Sequence, residues 1–314
     1  MSEYTIEDDV SSNDPIWREW TQMVENEYWL ADDRSVTTLT PFEHTTRCVA
    51  AKDKDGGLIG IVIWNEYDNL AWLGFYILRE NYRGKGIGSV IWDRAMHRIR
   101  KTGYILGLRG VPAMSHKYQA HDTPHKRDMM GNHKGRWDSF VKFAKKHAKT
   151  DLKQWASSTL NENQLEKVYA FDLKVTGKDR KDFLKKFLSL PFTYASFIEN
   201  EKNEIIAMAF ITTTGPPNEH YFKVGPIYAS TVAEAMSVSL PVFEHAGQQF
   251  EDAKLLVNIV DSIGRDELEP LLVQEEDINS DPDAQTSLYS IPMNETFRRD
   301  LVFAPNNNSI HYDA

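Results

Sequence analysis

An apolar stretch that runs into Arg83, Gly84, Lys85, Gly86, Ile87 and Gly88, and from there into an amphipathic helix, restricts the fold of this chain more than any other segment. Residues 70–78 predict a strand, and Val90, Ile91, Ala95, Met96 and Ile99 recur at helical spacing until Gly103 ends the run. Glycines in such a turn permit positive φ and close approach of a ligand to the backbone. The first N–H groups of a helix lack intrahelical partners, and here two basic side chains stand beside them, so a pyrophosphate is the natural guest. A bare glycine pattern also fits an ordinary helix cap, and the surroundings decide between the two. A nucleotide-hydrolysing P-loop ends in Gly-Lys-Ser/Thr, whereas Ser89 follows Gly88 directly, which excludes that class. A dinucleotide fingerprint follows the first strand of a parallel sheet and has an acid about 20 residues later. Here strands 48–51, 58–64 and 70–78, with turns at 53–57 and 67–69, form an antiparallel meander first, and residues 103–108 supply no acid.

Before the meander, Asp14 and Pro15 read as the start of a helix in which Ile16, Trp20, Met23 and Val24 share a face as far as about Trp29. A buried strand at 104–108 follows the glycine-turn helix. The polar segment 151–164 reads as a linker. Beyond it the order partly repeats: helix 178–188, strands 194–200 and 204–212, a break at 215–217, strand 221–224, Gly225 and Pro226, helix 232–249 and strand 254–260. Residues 57–78 and 204–228 thus look like two versions of one unit.

A length of 314 residues suits two domains, and 41% hydrophobic residues with 8 Trp are enough for real cores. The net charge of −10 disfavours nucleic acid as a partner, since phosphate backbones need a basic face; it suits a cationic amine, or solubility alone. Basic residues concentrate in 116–153 and acidic ones in 251–283. The basic stretch reads as a solvated loop and helix face, with docking of an acidic protein as the other account. Cys48 is the only cysteine, which excludes an internal disulfide and a cysteine-rich metal site. His116, His121 and His125 with Asp122 match no helix face well, and no metal is expected. Residues 1–12 lack a basic region followed by an apolar one, and no stretch approaches the roughly 18 apolar residues of a membrane span. No membrane association and an intracellular, cytoplasmic location are therefore expected.

The run from Leu78 to Gly88 resembles the strand-4 to helix-3 signature, Arg/Gln-x-x-Gly-x-Gly/Ala, of the GCN5-related N-acetyltransferase (GNAT) superfamily. Residues 107–113, leading to Lys117 and Tyr118, are similar to its strand-5 to helix-4 segment. In the second half, 177–180, 205–210 and 224–229, with Glu234 and Ala235 after them, resemble the divergent C-terminal domain of tandem members of the holothin acyltransferase type. The resemblance implies an α/β (α+β) architecture of two tandem GNAT-like domains, residues 1–165 and 166–314, each a mixed, mostly antiparallel twisted sheet flanked by helices.

It also implies an N-acyltransferase that uses acetyl-CoA or another acyl-CoA and passes the acyl group directly to a small-molecule amine or a lysine side chain in a ternary complex. Arg83, Gly84, Lys85, Gly86, Ile87, Gly88 and Ser89 would then hold the pyrophosphate, while Ile77 and Leu78 would pair with the pantetheine arm. The Leu78 N–H would polarise the thioester, and Tyr118 would protonate the departing thiolate, although Asp122 and Thr123 replace the Gly-Phe usual after it. For the base that deprotonates the amine the candidates are Glu66, Glu80 and His116. The second half lacks the signature, and Pro226 has no N–H to offer, so it is expected to wall the acceptor site. The alternative is a catalytically inactive acyl-CoA-binding protein or sensor.

Overall fold

Residues 4–27, 29, 34–67, 69–110, 112–149, 152–177, 179–216, 218–260, 262–292 and 302–304 are described by a computed structural model. The first half runs β1 (Tyr4–Asp8), α1 (Ile16–Asn26), α2 (Arg34–Leu39), β2 (Thr46–Asp53), β3 (Leu58–Tyr67), β4 (Leu70–Leu78), α3 (Ile87–Thr102), β5 (Ile105–Gly110), α4 (Pro112–His121), β6 (His125–Arg136) and α5 (Trp137–His147). The second runs β7 (Lys153–Ala156), α6 (Glu162–Thr176), α7 (Lys181–Ser189), β8 (Thr193–Glu199), β9 (Ile205–Thr214), β10 (Tyr221–Ala229), α8 (Val232–Gln249), β11 (Lys254–Val260), α9 (Glu269–Leu272), β12 (Ile278–Tyr289) and β13 (Val302–Ala304).

Apolar residues fill both faces of the first-half strands, which is why these strands read as continuous hydrophobic runs. Cys48, Ala50, Ile61 and Ile63 pack beneath Trp17, Trp20 and Val24 of α1. Their chain neighbours Val49, Ala51, Val62 and Trp64 pack beneath Ile91, Ala95, Met96 and Ile99 of α3. Each large side chain buried this way contributes about 1.5–3 kcal/mol. Cys48 lies within this packing, and burial, with the Asp9 charge adding to it, pushes its thiol up to about 11. A thiol reagent at neutral pH is therefore expected to leave Cys48 unmodified in the native protein and to react with it once denaturant is added, as a colorimetric thiol titration would show.

All the strands join one mixed sheet of 13, in the order β1-β2-β3-β4-β5-β12-β6-β11-β10-β9-β8-β7, with β13 paired to β10 off this path. Neighbours are antiparallel except β4 with β5 and β10 with β11. The order is symmetric about its centre, and the repeat suspected from sequence is visible as two mirrored series. At the centre the halves exchange strands, β6 for β12. β12 pairs with β5, and Leu288 joins the first-half core. β6 pairs with β11, and the following helix α5 places Phe140, Phe143 and Ala144 in the core with Phe243 and Ala246 of α8. Residue 165, the last of the expected first domain, lies inside α6, and the segment expected to be a linker contains edge strand β7 and the capping box of Asn161 and Gln164. Its polar composition reflects a largely exposed sheet edge. The helix expected from residue 178 begins at Lys181, and position 178 lies outside the described residues, as does 28 near the expected end of α1.

Two irregularities position the site. Between Ile63↔Phe75 and Trp64↔Leu73 the register slips by one residue, which makes Gly74 a bulge. β4 and β5 pair only over residues 70–73 and 105–108, so beyond the bulge their ends splay and leave an open wedge. The second half has the same construction, with a register shift between Val224 and Ile227 and parallel pairing over 221–224 with 254–257. There the corresponding stretch of β10, residues 227–229, is paired by β13.

Candidate functional site

After β4 the chain makes a short 3-10 turn, Glu80–Tyr82, and then the glycine loop. Gly84 has φ 76° and Gly86 φ 81°, conformations that side-chain-bearing residues rarely adopt. Gly86 is the N-cap of α3, and no side chain caps the helix. The first-turn amides, with the positive end of the helix dipole, are thus left for an anion. Gly88 is needed for a different reason: a Cβ there would lie 2.4 Å from the Tyr76 hydroxyl and 3.2 Å from Leu78 Cδ1. Arg83 and Lys85 are exposed beside the loop. Lys85 lies over the Tyr82 ring, 5.2 Å from its centroid, and Arg83 donates from Nε to the Leu78 carbonyl at 3.0 Å and pairs with Glu27.

The wedge opens into a cleft of about 670 Å³ lined by Gly74, Tyr76, Ile77 and Leu78 of β4, Leu108 to Gly110 of β5, Met114 and Tyr118 of α4, Arg83, and Glu27 and Trp29 beyond α1; Asn132, Lys134, Leu256 and Gln285 complete it from the exchanged strands and their neighbour. Arg79 N–H donates to the Ile59 carbonyl, and antiparallel pairing alternates, so Ile77 also turns its amide to β3. Tyr76 and Leu78 therefore turn theirs toward the unpaired edge. Ile77 lines the cleft, but the backbone groups turned to the unpaired edge belong to Tyr76 and Leu78, and of these the Leu78 carbonyl already accepts from Arg83 Nε.

Tyr118 is held by an aromatic stack. Its ring lies on Trp92, centroids 5.6 Å apart at 26°, and Tyr76 packs on the same indole at 5.2 Å. Asp122, which accepts from Trp92 Nε1 at 3.1 Å and pairs with Arg100, fixes the indole that fixes Tyr118. The departure from Gly-Phe at 122–123 thus has a structural use. Burial, with a smaller effect of Tyr76, raises the Tyr118 pKa above its ordinary value, so the phenol keeps its proton at neutral pH.

Of the candidate bases, none lines the cleft. Glu66 is spent on Arg47 at 3.3 Å and on Trp64 Nε1 at 3.0 Å. It lies opposite Ala71, six residues along β3 from the partner of Leu78, a separation of about 20 Å at ~3.3 Å per residue. Glu80 opens the 3-10 turn with its side chain exposed, and His116 is exposed on α4. Among the described residues no three His, Cys, Asp or Glu side chains cluster as metal ligands would, and no helix is long and apolar enough to cross a membrane. The lining carboxylate that sequence reasoning missed is Glu27, the only one among the described lining residues; its position just beyond a helix end carries no local signal. Tyr76 was missed because its orientation depends on the bulge, which an isolated glycine inside an apolar strand does signal.

Residues 14–113 match the family described as Acetyltransferase (GNAT) family. Uncharacterized protein F36G3.2 of Caenorhabditis elegans is 34% identical over 324 residues, covering 100% of both chains. The solved tandem GNAT protein from the clavulanic acid biosynthesis pathway superposes with a TM-score of 0.65 at 13% identity, over 93% of this chain and 100% of that one. A putative acetyltransferase from Pyrococcus horikoshii gives 0.64 at 13%, over 100% and 97%. At these identities the two structures speak to the fold alone, and both share it across nearly the whole chain.

Proposed function

This chain belongs to the GNAT acetyltransferase superfamily, and from that premise we propose that it is an N-acyltransferase with one acyl-CoA site per chain, in the wedge of the first half. The observation that carries the reading is the uncapped start of α3 behind Gly84 and Gly86, opening beside the unpaired edge of β4. The residues fit the cofactor: amides of 84–89 with Arg83 and Lys85 for its pyrophosphate, and the backbone of Tyr76 and Leu78 for its amide-bearing arm. When bound, acetyl-CoA supplies an acyl group activated as a thioester. The Leu78 N–H, directed into the cleft, is a donor for negative charge that develops on a carbonyl oxygen. Tyr118 would give its proton to the thiolate that leaves, and Glu27, paired with Arg83 in the free chain, would take the proton that the attacking amine must lose. Acyl–sulfur cleavage and acyl–nitrogen formation then balance, with one proton lost from the amine and one gained by the thiol.

Among the described residues the second half offers no equivalent site. Thr231 Oγ1 accepts from Glu234 N–H at 3.2 Å, and Glu234 puts a negative charge in the first turn of α8; both oppose an anion there. The strand edge that would receive the cofactor arm is paired by β13.

Coenzyme A release with a panel of amines, followed with a thiol reagent, tests the proposal. Acyl-CoA-dependent release with at least one amine is expected; binding without release across the panel would leave a sensor instead. Glu27→Gln is expected to lower kcat by about a hundredfold, the lower end of what a positioned base contributes. It should leave the coenzyme A dissociation constant within about threefold, because the partly exposed pair with Arg83 is worth little; a steady-state kcat equal to that of the parent would remove Glu27 from the mechanism.

A further inference from the structure

The acceptor end of the cleft contradicts what the net charge suggests. With Glu27 paired to Arg83, the remaining charged side chains among the described lining residues are Arg109 and Lys134, and neither has a carboxylate partner among the described residues. Arg109 is half-buried, with Nε donating to Ser287 Oγ at 3.3 Å, Nη1 against Met130 Sδ at 3.5 Å, and the guanidinium centre 5.8 Å from the Trp72 ring centroid. Serine, thioether and indole leave its charge uncompensated. Of the acidic stretch 251–283, only the uncharged Leu256 is among the described lining residues.

Beside it, the buried Oδ1 of Asn132 has no hydrogen-bond partner. Asn258, opposite Asn132 in the β6–β11 register, is fully buried and leaves both Nδ2 and Oδ1 unpartnered. Residues opposed across a ladder share a face, so both amides belong to the face that lines the cleft. Buried amides without partners are rare in folded proteins and ask for one.

Resting on the transferase reading above, we infer that the acceptor is an amine that also carries an anionic group, a carboxylate or a phosphate. Arg109 receives the anion, and Lys134, further along β6, adds to the positive field. Asn132 receives an N–H or hydroxyl group of the acceptor, and Asn258, which is fully buried and not itself a lining residue, stands opposite it on the same face. Screening at physiological ionic strength acts over about 8 Å, so these local groups outweigh a net charge of −10 spread over the whole surface. The exchange of β6 and β12 is what brings the lining together: Arg109, Asn132 and Lys134 come from first-half strands, Leu256 and Gln285 from second-half ones.

The test is calorimetric binding to the full chain saturated with coenzyme A, using matched pairs: each L-amino acid against its carboxamide, and O-phosphoethanolamine against ethanolamine. The anionic member of at least one pair is expected to bind about tenfold to a hundredfold more tightly, the scale of a charge-assisted bidentate contact. The pair that shows it distinguishes carboxylate from phosphate. Arg109→Gln should abolish the preference and Arg109→Lys should keep part of it, both with coenzyme A affinity unchanged. Neutral members that bind as tightly, a preference that survives Arg109→Gln, or no binding by any anionic amine would each overturn the inference. Failure of coenzyme A itself to bind would instead sink the transferase reading, and the same pairs titrated into the chain alone would still report the charge preference.

Discussion

Gly86→Val is expected to weaken coenzyme A binding by about a hundredfold or more, the loss of two charge-assisted hydrogen bonds at ~1.5–3 kcal/mol each. Gly86 has φ 81°, a conformation that a β-branched residue does not tolerate, so relief of the strain must rotate the amides that open α3 away from their ligand. Gly56, in the β2–β3 turn, provides a matched control. Its φ is 85°, and a Cβ at either glycine would meet nothing within 4 Å. Gly56→Val should therefore cost similar stability, about 1–2 kcal/mol, and leave binding untouched. Equal losses of affinity in the two variants would mean that strain, not the phosphate cradle, is being measured.

Tyr118→Phe is expected to lower kcat by about 10²- to 10⁴-fold, the usual contribution of a positioned acid, with coenzyme A affinity unchanged. Phenylalanine keeps the stack on Trp92, so the variant removes the proton and little else. Because burial raises the Tyr118 pKa, the acid stays protonated until pH rises through that folded value, above the ordinary tyrosine value of about 10. No alkaline fall in wild-type kcat below about pH 9 should therefore belong to Tyr118. If Tyr118→Phe turns over like the parent, the tyrosine is a packing residue and the proton comes from elsewhere.

What was legible in the chain was what local chemistry encodes. The meander, the glycine turn and α3 follow from apolar periodicity and from glycines at positive φ, and both are properties of neighbouring residues. β6 lies within the basic stretch 116–153, whose composition reads as a solvated loop and helix face. It is nonetheless a central strand: His133 is fully buried, bonded to Ser280 at 2.9 Å and Glu269 at 3.1 Å, while Asn132 and Lys134 face the cleft. A strand made polar by what it lines imitates a loop in sequence. The exchange of β6 and β12 was invisible for another reason, since β12 reaches its partner β5 across more than 170 positions and nothing local records such a pairing. The candidate carboxylates Glu66 and Glu80 both lie outside the lining of the cleft. Glu66 stands at the end of β3 and Glu80 before the glycine turn, and a strand carries its residues apart as fast as it lengthens, whereas Glu27 lines the cleft from just beyond α1.

One calorimetric titration of coenzyme A into the full-length protein bears most directly on the anion cradle at the start of α3. The expected isotherm has a single site per chain and disappears in Gly86→Val but not in Gly56→Val. Two equivalent sites, or a single site that survives Gly86→Val intact, would contradict the account, because the ligand would then be bound somewhere other than the wedge between β4 and β5.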